Sequence, residues 1–171
     1  MKRTWLGCLV VVLVTGAIGR SFGQSPTAAA ADDPFVGTWR LDSAKSTFKP
    51  TVYNRGVMAI EPVCDQFKTS VDTQLAGGIL VQYEFVAKTD GRDYPLPGMV
   101  NADTVSIRRI DARTLERTHK KRTKVDTVFV SRVSADGMTM EVSQKGFNPR
   151  GEPVDNLLIY RKDPDTRPPT R

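Results

Sequence analysis

Apolar and polar residues alternate with a period of two along most of this chain, the pattern of strands with one buried and one solvated face. Ile79, Val81, Tyr83, Phe85 and Ala87 fall on one face of such a strand, with Gln82, Glu84 and Lys88 on the other. Val105, Ile107 and Arg109 alternate with Thr104, Ser106 and Arg108. Val125, Thr127, Phe129, Ser131 and Val133 repeat the pattern, and Met138, Met140 and Val142 are set against Thr139, Glu141 and Ser143. The periodicity predicts strands near 35–41, 56–62, 66–73, 79–88, 103–110, 114–121, 124–133, 138–145 and 153–161. Helix is confined to a turn or two around 43–48.

Turn chemistry falls between these runs. Asp90-Gly91 and Asp136-Gly137 are dipeptides that accept the positive φ of tight hairpin turns. Gly77-Gly78, Pro95-Leu96-Pro97-Gly98 and Asn148-Pro149-Arg150-Gly151 mark further loops. Short connections between successive strands imply an antiparallel meander. About eight to ten such strands remove their exposed edges by closing into an up-and-down β-barrel. The chain is therefore expected to be all-β, with a β-sandwich as the alternative.

The ends read differently. Lys2 and Arg3 precede an apolar run over 6–18, and small residues follow, which is the pattern of a secretory signal peptide. Arg20 ends that run short of the roughly 20 residues a membrane span needs. A leader at 1–23, a tether rich in Ala, Ser and Thr at 24–33, one barrel domain at 34–162 and a proline-rich tail at 163–171 are the expected parts. Cleavage after Gly23 or within 28–31 fits equally well. This places the protein outside the cytoplasm, in a periplasm or beyond the cell.

Export changes the charge and the cysteine count. The chain carries +6, and the leader takes Lys2, Arg3 and Arg20 with no acid, so the remainder keeps +3. That is an ordinary solvated surface, and it points away from a nucleic-acid partner. Cys8 leaves with the leader, so Cys64 has no partner for an intramolecular disulfide. The residues also point away from an enzyme. The single histidine, His119, has no Gly-x-Ser-x-Gly elbow to serve, and one His with one Cys does not make the usual zinc site. No Gly-rich phosphate loop is present, so no cofactor and no metal are expected. Asp90 and Asp93 beside Tyr94 are read as turn residues.

The segment Phe35-Val36-Gly37-Thr38-Trp39-Arg40-Leu41 resembles the first strand of the calycin superfamily, the lipocalins and intracellular fatty-acid-binding proteins, where Gly-x-Trp opens the barrel. A longer set resembles a group of uncharacterised exported bacterial lipocalin-like proteins. It comprises that strand with Ala44-Lys45-Ser46, then Asp90-Gly91-Arg92-Asp93-Tyr94-Pro95, Ala102-Asp103-Thr104-Val105, Arg109-Ile110-Asp111-Ala112-Arg113-Thr114 and Val133-Ser134-Ala135-Asp136-Gly137. The group carries no function to transfer. The lipocalin resemblance implies that Gly37 and Trp39 are architectural, with Trp39 across the closed end of the barrel and Arg161 stacked on it. Fatty-acid-binding proteins hold a carboxylate with an Arg two residues before a Tyr in the last strand. Here Tyr160 matches, but Leu158 stands in place of that Arg.

The interior candidates follow from the alternation. Tyr83, Phe85 and Phe129 are expected to line the barrel with Val81, Val105, Ile107 and Met140, around a small apolar or amphipathic ligand. If Leu115 points inward, so do Arg117 and His119, and Arg109 shares the face of Val105 and Ile107. These cations would then meet an anionic head group. Both faces of 114–121 are polar, however, and the favoured expectation is a hairpin projecting into solvent. Basic residues from Arg113 to Lys124 offer, alternatively, a patch for an anionic envelope component. Two functions are thus open: an exported binding protein with a ligand inside the barrel, or a non-enzymatic envelope interaction module with a packed interior.

Overall fold

In the computed structural model, residues 32–148 and 151–164 are described; the leader at 1–23, most of the tether and residues 165–171 of the tail lie outside them. The described residues form ten strands: β1 Gly37–Leu41, β2 Tyr53–Val63, β3 Gln66–Leu75, β4 Leu80–Ala87, β5 Asp90–Pro95, β6 Thr104–Asp111, β7 Thr114–Lys121, β8 Lys124–Val133, β9 Thr139–Phe147 and β10 Pro153–Lys162. Every pairing is antiparallel, in the order β4-β3-β2-β1-β10-β9-β8-β7-β6-β5. Because β1 pairs with β10, the meander curls into a nearly closed up-and-down barrel rather than a sandwich. Among the described residues there is no helix, and none long and apolar enough to cross a membrane.

The barrel has one seam, between the two ends of the sheet. β4 and β5 are consecutive in the chain but share no ladder. The gap is bridged by side chains: Phe85 and Ala87 of β4 pack with Leu96, Ala102, Val105 and Ile107.

β5 is the element that alternation does not reveal. Asp90-Gly91 does not form a hairpin turn between two apolar strands; Lys88-Thr89 make the connection, and Asp90 opens β5. Gly91 takes its positive φ of 78° within the irregular register between Asp90 and Asp93, and Arg92 N–H donates to Asp90 Oδ1 at 3.0 Å. Five of the six residues of β5 are exposed, so a period of two leaves no trace in them. Asp136-Gly137 does behave as a tight turn: Gly137 has φ 72° and donates its N–H to the Ser134 carbonyl at 3.0 Å. The segment 43–48 makes turns and an isolated bridge from Thr47 to Leu157, with no helix.

One end of the barrel is packed shut. Trp39 is fully buried among Phe35, Met58, Ile60, Met140 and Leu158, and its indole N–H donates to the Phe35 carbonyl at 2.8 Å. The cation over its ring is Lys162, with Nζ 5.1 Å from the centroid, and not Arg161. Register explains the correction. Trp39 pairs with Lys162 and Arg40 with Arg161, so Lys162 shares the inner face with Trp39 while Arg161 points outward to Asp42. Gly37 makes room for this contact, since a Cβ there would lie 2.7 Å from Lys162 Cε, and its φ of 132° is one that side chains disfavour.

Arg109 completes the plug. Its guanidinium pairs with Asp33, the last residue of the segment read as a tether, and lies 5.6 Å from the centre of the Phe35 ring. Arg109 is therefore engaged at the closed end and does not line a ligand site.

Candidate functional site

Above this plug the strands enclose a cavity of about 400 Å³, which reaches the loops at the opposite end of the barrel. Its lower wall is Met58, Val71, Phe129, Val142 and Leu158, and its polar groups include Tyr53, Tyr83, Tyr160, Arg117, His119 and Gln144. Below it lies a second, much smaller space of about 40 Å³, bounded by Phe35, Phe85 and Ile107. Phe85 thus belongs to the packed half and to the seam. Arg117 borders both spaces.

β7 is inserted with Leu115, Arg117 and His119 facing inward, which overturns the expectation of a solvated hairpin. Glu116 and Lys120 lie on the other face and pair with Arg108 and Asp93. The two neighbouring strands explain the choice. Ile107 and Phe129 flank Arg117, while Val105 and Thr127 flank His119. A polar inner face is tolerated because it meets a cavity and aromatic rings instead of close-packed aliphatic side chains.

His119 is 1 % exposed, edge-on to Tyr83 at 5.8 Å and tilted against Phe129 at 4.9 Å. Its Nε2 is buried with no hydrogen-bond partner. Burial above all, and then the charge of Arg117, pushes its pKa from 6.5 down to about 2, so the imidazole is neutral. Arg117 stacks its guanidinium on Phe129, 4.3 Å from the ring centre. Its Nε is buried without a partner, and among the described residues no carboxylate comes within ion-pair distance of it.

Phenols and amides complete the wall. Tyr53 O–H donates to Gln144 Oε1 at 2.9 Å, and Asn156 Nδ2 donates to the same oxygen at 3.1 Å. Burial pushes the Tyr53 hydroxyl up to about 12. It also raises that of Tyr160, aided by the nearby Tyr53 and Tyr83. Both phenols stay protonated at neutral pH, Tyr53 with its hydrogen committed to Gln144 and Tyr160 near the fixed positive charge of Arg117.

No protein-family model matches the chain, and no curated protein matches it. The site must therefore be interpreted from its own chemistry. Of the residues singled out in the sequence, Tyr83, Arg117, His119, Phe129 and Tyr160 converge on the larger cavity, whereas Phe85 and Arg109 do not line it. Tyr53 and Gln144 were missed. Gln144 had a readable signal, since it continues the face of Met140 and Val142; Tyr53 begins β2 in a stretch with no alternation.

The buried imidazole makes the fold sensitive to acid. Unfolded, His119 takes up a proton near pH 6.5, while the folded chain resists it until about 2. Unfolding therefore consumes a proton across that window, and stability falls as pH falls below 6.5, by about 1.4 kcal/mol per unit. Above that range the contribution is flat. Urea unfolding at pH 6.5 and 5 is expected to show a loss of about 2 kcal/mol that His119→Leu lacks. Equal pH slopes in the two proteins would mean that His119 is protonated in the fold.

Proposed function

We propose that this protein is an exported binding protein that holds one small amphipathic molecule inside the barrel, its anionic head at Arg117 and its tail along the apolar wall. The observation that carries this reading is Arg117 itself, a cation at the floor of an otherwise uncharged cavity with no carboxylate among the described residues to balance it. Arg117 is half-buried with its Nε shielded from water, and a ligand anion would offset the cost of that partial desolvation. The Tyr83 and Tyr160 hydroxyls offer further donors. Apolar walls around a few convergent polar groups are what small-molecule sites have in common.

The alternative, an envelope module with a filled barrel, accounts less well for about 400 Å³ of internal space. The resemblance to exported lipocalin-like proteins agrees with a carrier but does not name a ligand. Titration of the purified protein with a fluorescent long-chain fatty acid should saturate at one equivalent. Native mass spectrometry of protein from its own cell should show a bound small molecule. A ligand-free species that also takes up no probe would overturn the proposal.

A further inference from the structure

The mouth of the barrel carries a feature that ligand binding inside does not require. It is formed by the connections β1–β2, β3–β4, β5–β6, β7–β8 and β9–β10. Of the large hydrophobic residues exposed on the described chain, Val100 at 83 %, Leu80 at 57 % and Ile79 at 51 % are the three most exposed, and all three sit there. They form one side of the rim. The loop 96–103 reaches across to β4, where a Cβ on Gly98 would lie 3.7 Å from the Gln82 carbonyl. That brings Val100 to the neighbourhood of Ile79 and Leu80 at the cavity's edge.

The same loop is tied on its other flank to the β7–β8 hairpin. Asp103 N–H donates to the Lys120 carbonyl at 2.9 Å, and Asn101 Nδ2 donates to Asp126 at 2.7 Å. That hairpin ends in Lys121, Arg122 and Lys124, all exposed, and none of these side chains forms an ion pair among the described residues. Of the acids nearby, one is ion-paired and two are bonded to neutral donors and keep their charge, so the three exposed cations remain in excess. Asp93 pairs with Lys120, Asp103 accepts the Arg122 backbone N–H, and Asp126 accepts from Asn101 and Thr127. Apolar side chains standing in water beside free cations fit neither a solvated loop nor a protein core. They match the two layers of a membrane surface, acyl chains below and anionic phosphates above.

We propose that the mouth docks on an anionic phospholipid bilayer, with Ile79, Leu80 and Val100 entering the interface and Lys121, Arg122 and Lys124 against the head groups. β1 begins and β10 ends at the closed end, so the described chain termini leave this face uncovered. The cavity then faces the lipid directly. Docking stands apart from the ligand reading, since a barrel could sit on a membrane with or without cargo.

The test is co-flotation of the purified protein with vesicles of phosphatidylcholine alone and with added phosphatidylglycerol, at low and high salt. Binding is expected only to the anionic vesicles and is expected to weaken with salt. Reversal of two charges, Lys121→Glu with Lys124→Glu, should weaken it by about thirtyfold or more. Their exposed positions predict an unchanged melting temperature and unchanged uptake of a fluorescent fatty acid. Val100→Glu should weaken binding on the apolar side. Failure to bind anionic vesicles would overturn the proposal, as would equal binding to neutral ones or full binding by the variants. Sedimentation showing a dimer that Val100→Glu dissociates would assign the rim to a second copy instead.

Discussion

Replacing Trp39 by alanine is expected to lower the stability of the barrel by about 3–5 kcal/mol, a large fraction of what holds a domain of this size together. Trp39 is fully buried at the centre of the closed end and bonds the Phe35 carbonyl through its indole N–H. Truncation removes the ring from contact with Met58, Met140 and Leu158 and leaves a void that the strands cannot collapse into, since β1 is held on both sides by β2 and β10. It also leaves the Phe35 carbonyl without its donor and the Lys162 stem without a surface to cover. Trp39→Phe separates these losses, keeping most of the packing and costing about 1–3 kcal/mol for the unsatisfied carbonyl and the smaller ring. Urea unfolding measures both. A midpoint unchanged in Trp39→Ala would show that the closed end does not depend on the ring.

Replacing Arg117 by methionine is expected to act in opposite directions on binding and on stability. Methionine preserves an unbranched side chain of similar reach against Phe129 and removes the charge. If Arg117 receives an anionic head, affinity for a fatty acid should fall by about 10–100-fold, the weight of a charge-assisted hydrogen bond. Affinity for the corresponding alcohol should change little. The empty protein should be at least as stable as the parent, because an unpaired cation beside a buried imidazole is removed. The two measurements discriminate. A drop in stability with no selective loss for the acid would make Arg117 a structural partner of Phe129, and the carrier reading would lose its anchor.

The fold was legible where one face of a strand is buried and the other wet. β4, β6, β8 and β9 show this in their alternation, and the up-and-down order follows from the short connections between them. β5 was illegible because its burial does not alternate: Asp90, Gly91, Arg92 and Asp93 are all exposed. The closed end was legible from Gly37 and Trp39, but a resemblance assigned the covering cation one residue too early. Only the pairing of β1 with β10 shows that Lys162 shares the face of Trp39. The site was harder. Arg117 and His119 lie in phase with Leu115, yet a strand with charges on both faces offers no sign of which face is inside. That information resides in Ile107 and Phe129, which flank Arg117 from β6 and β8, and it emerges only once the registers of both hairpins are fixed.

The seam between β4 and β5 has a mechanical consequence. A barrel whose every strand is hydrogen-bonded to both neighbours has a fixed circumference, since widening it anywhere breaks ladder bonds. Here the hoop is cut once, and what spans the cut is the apolar contact of Phe85 and Ala87 with Leu96, Ala102 and Val105. Such contacts are non-directional and tolerate small displacements better than hydrogen bonds do. The girth of this barrel is therefore compliant along one line, and the cavity beside that line can change its width without breaking a ladder.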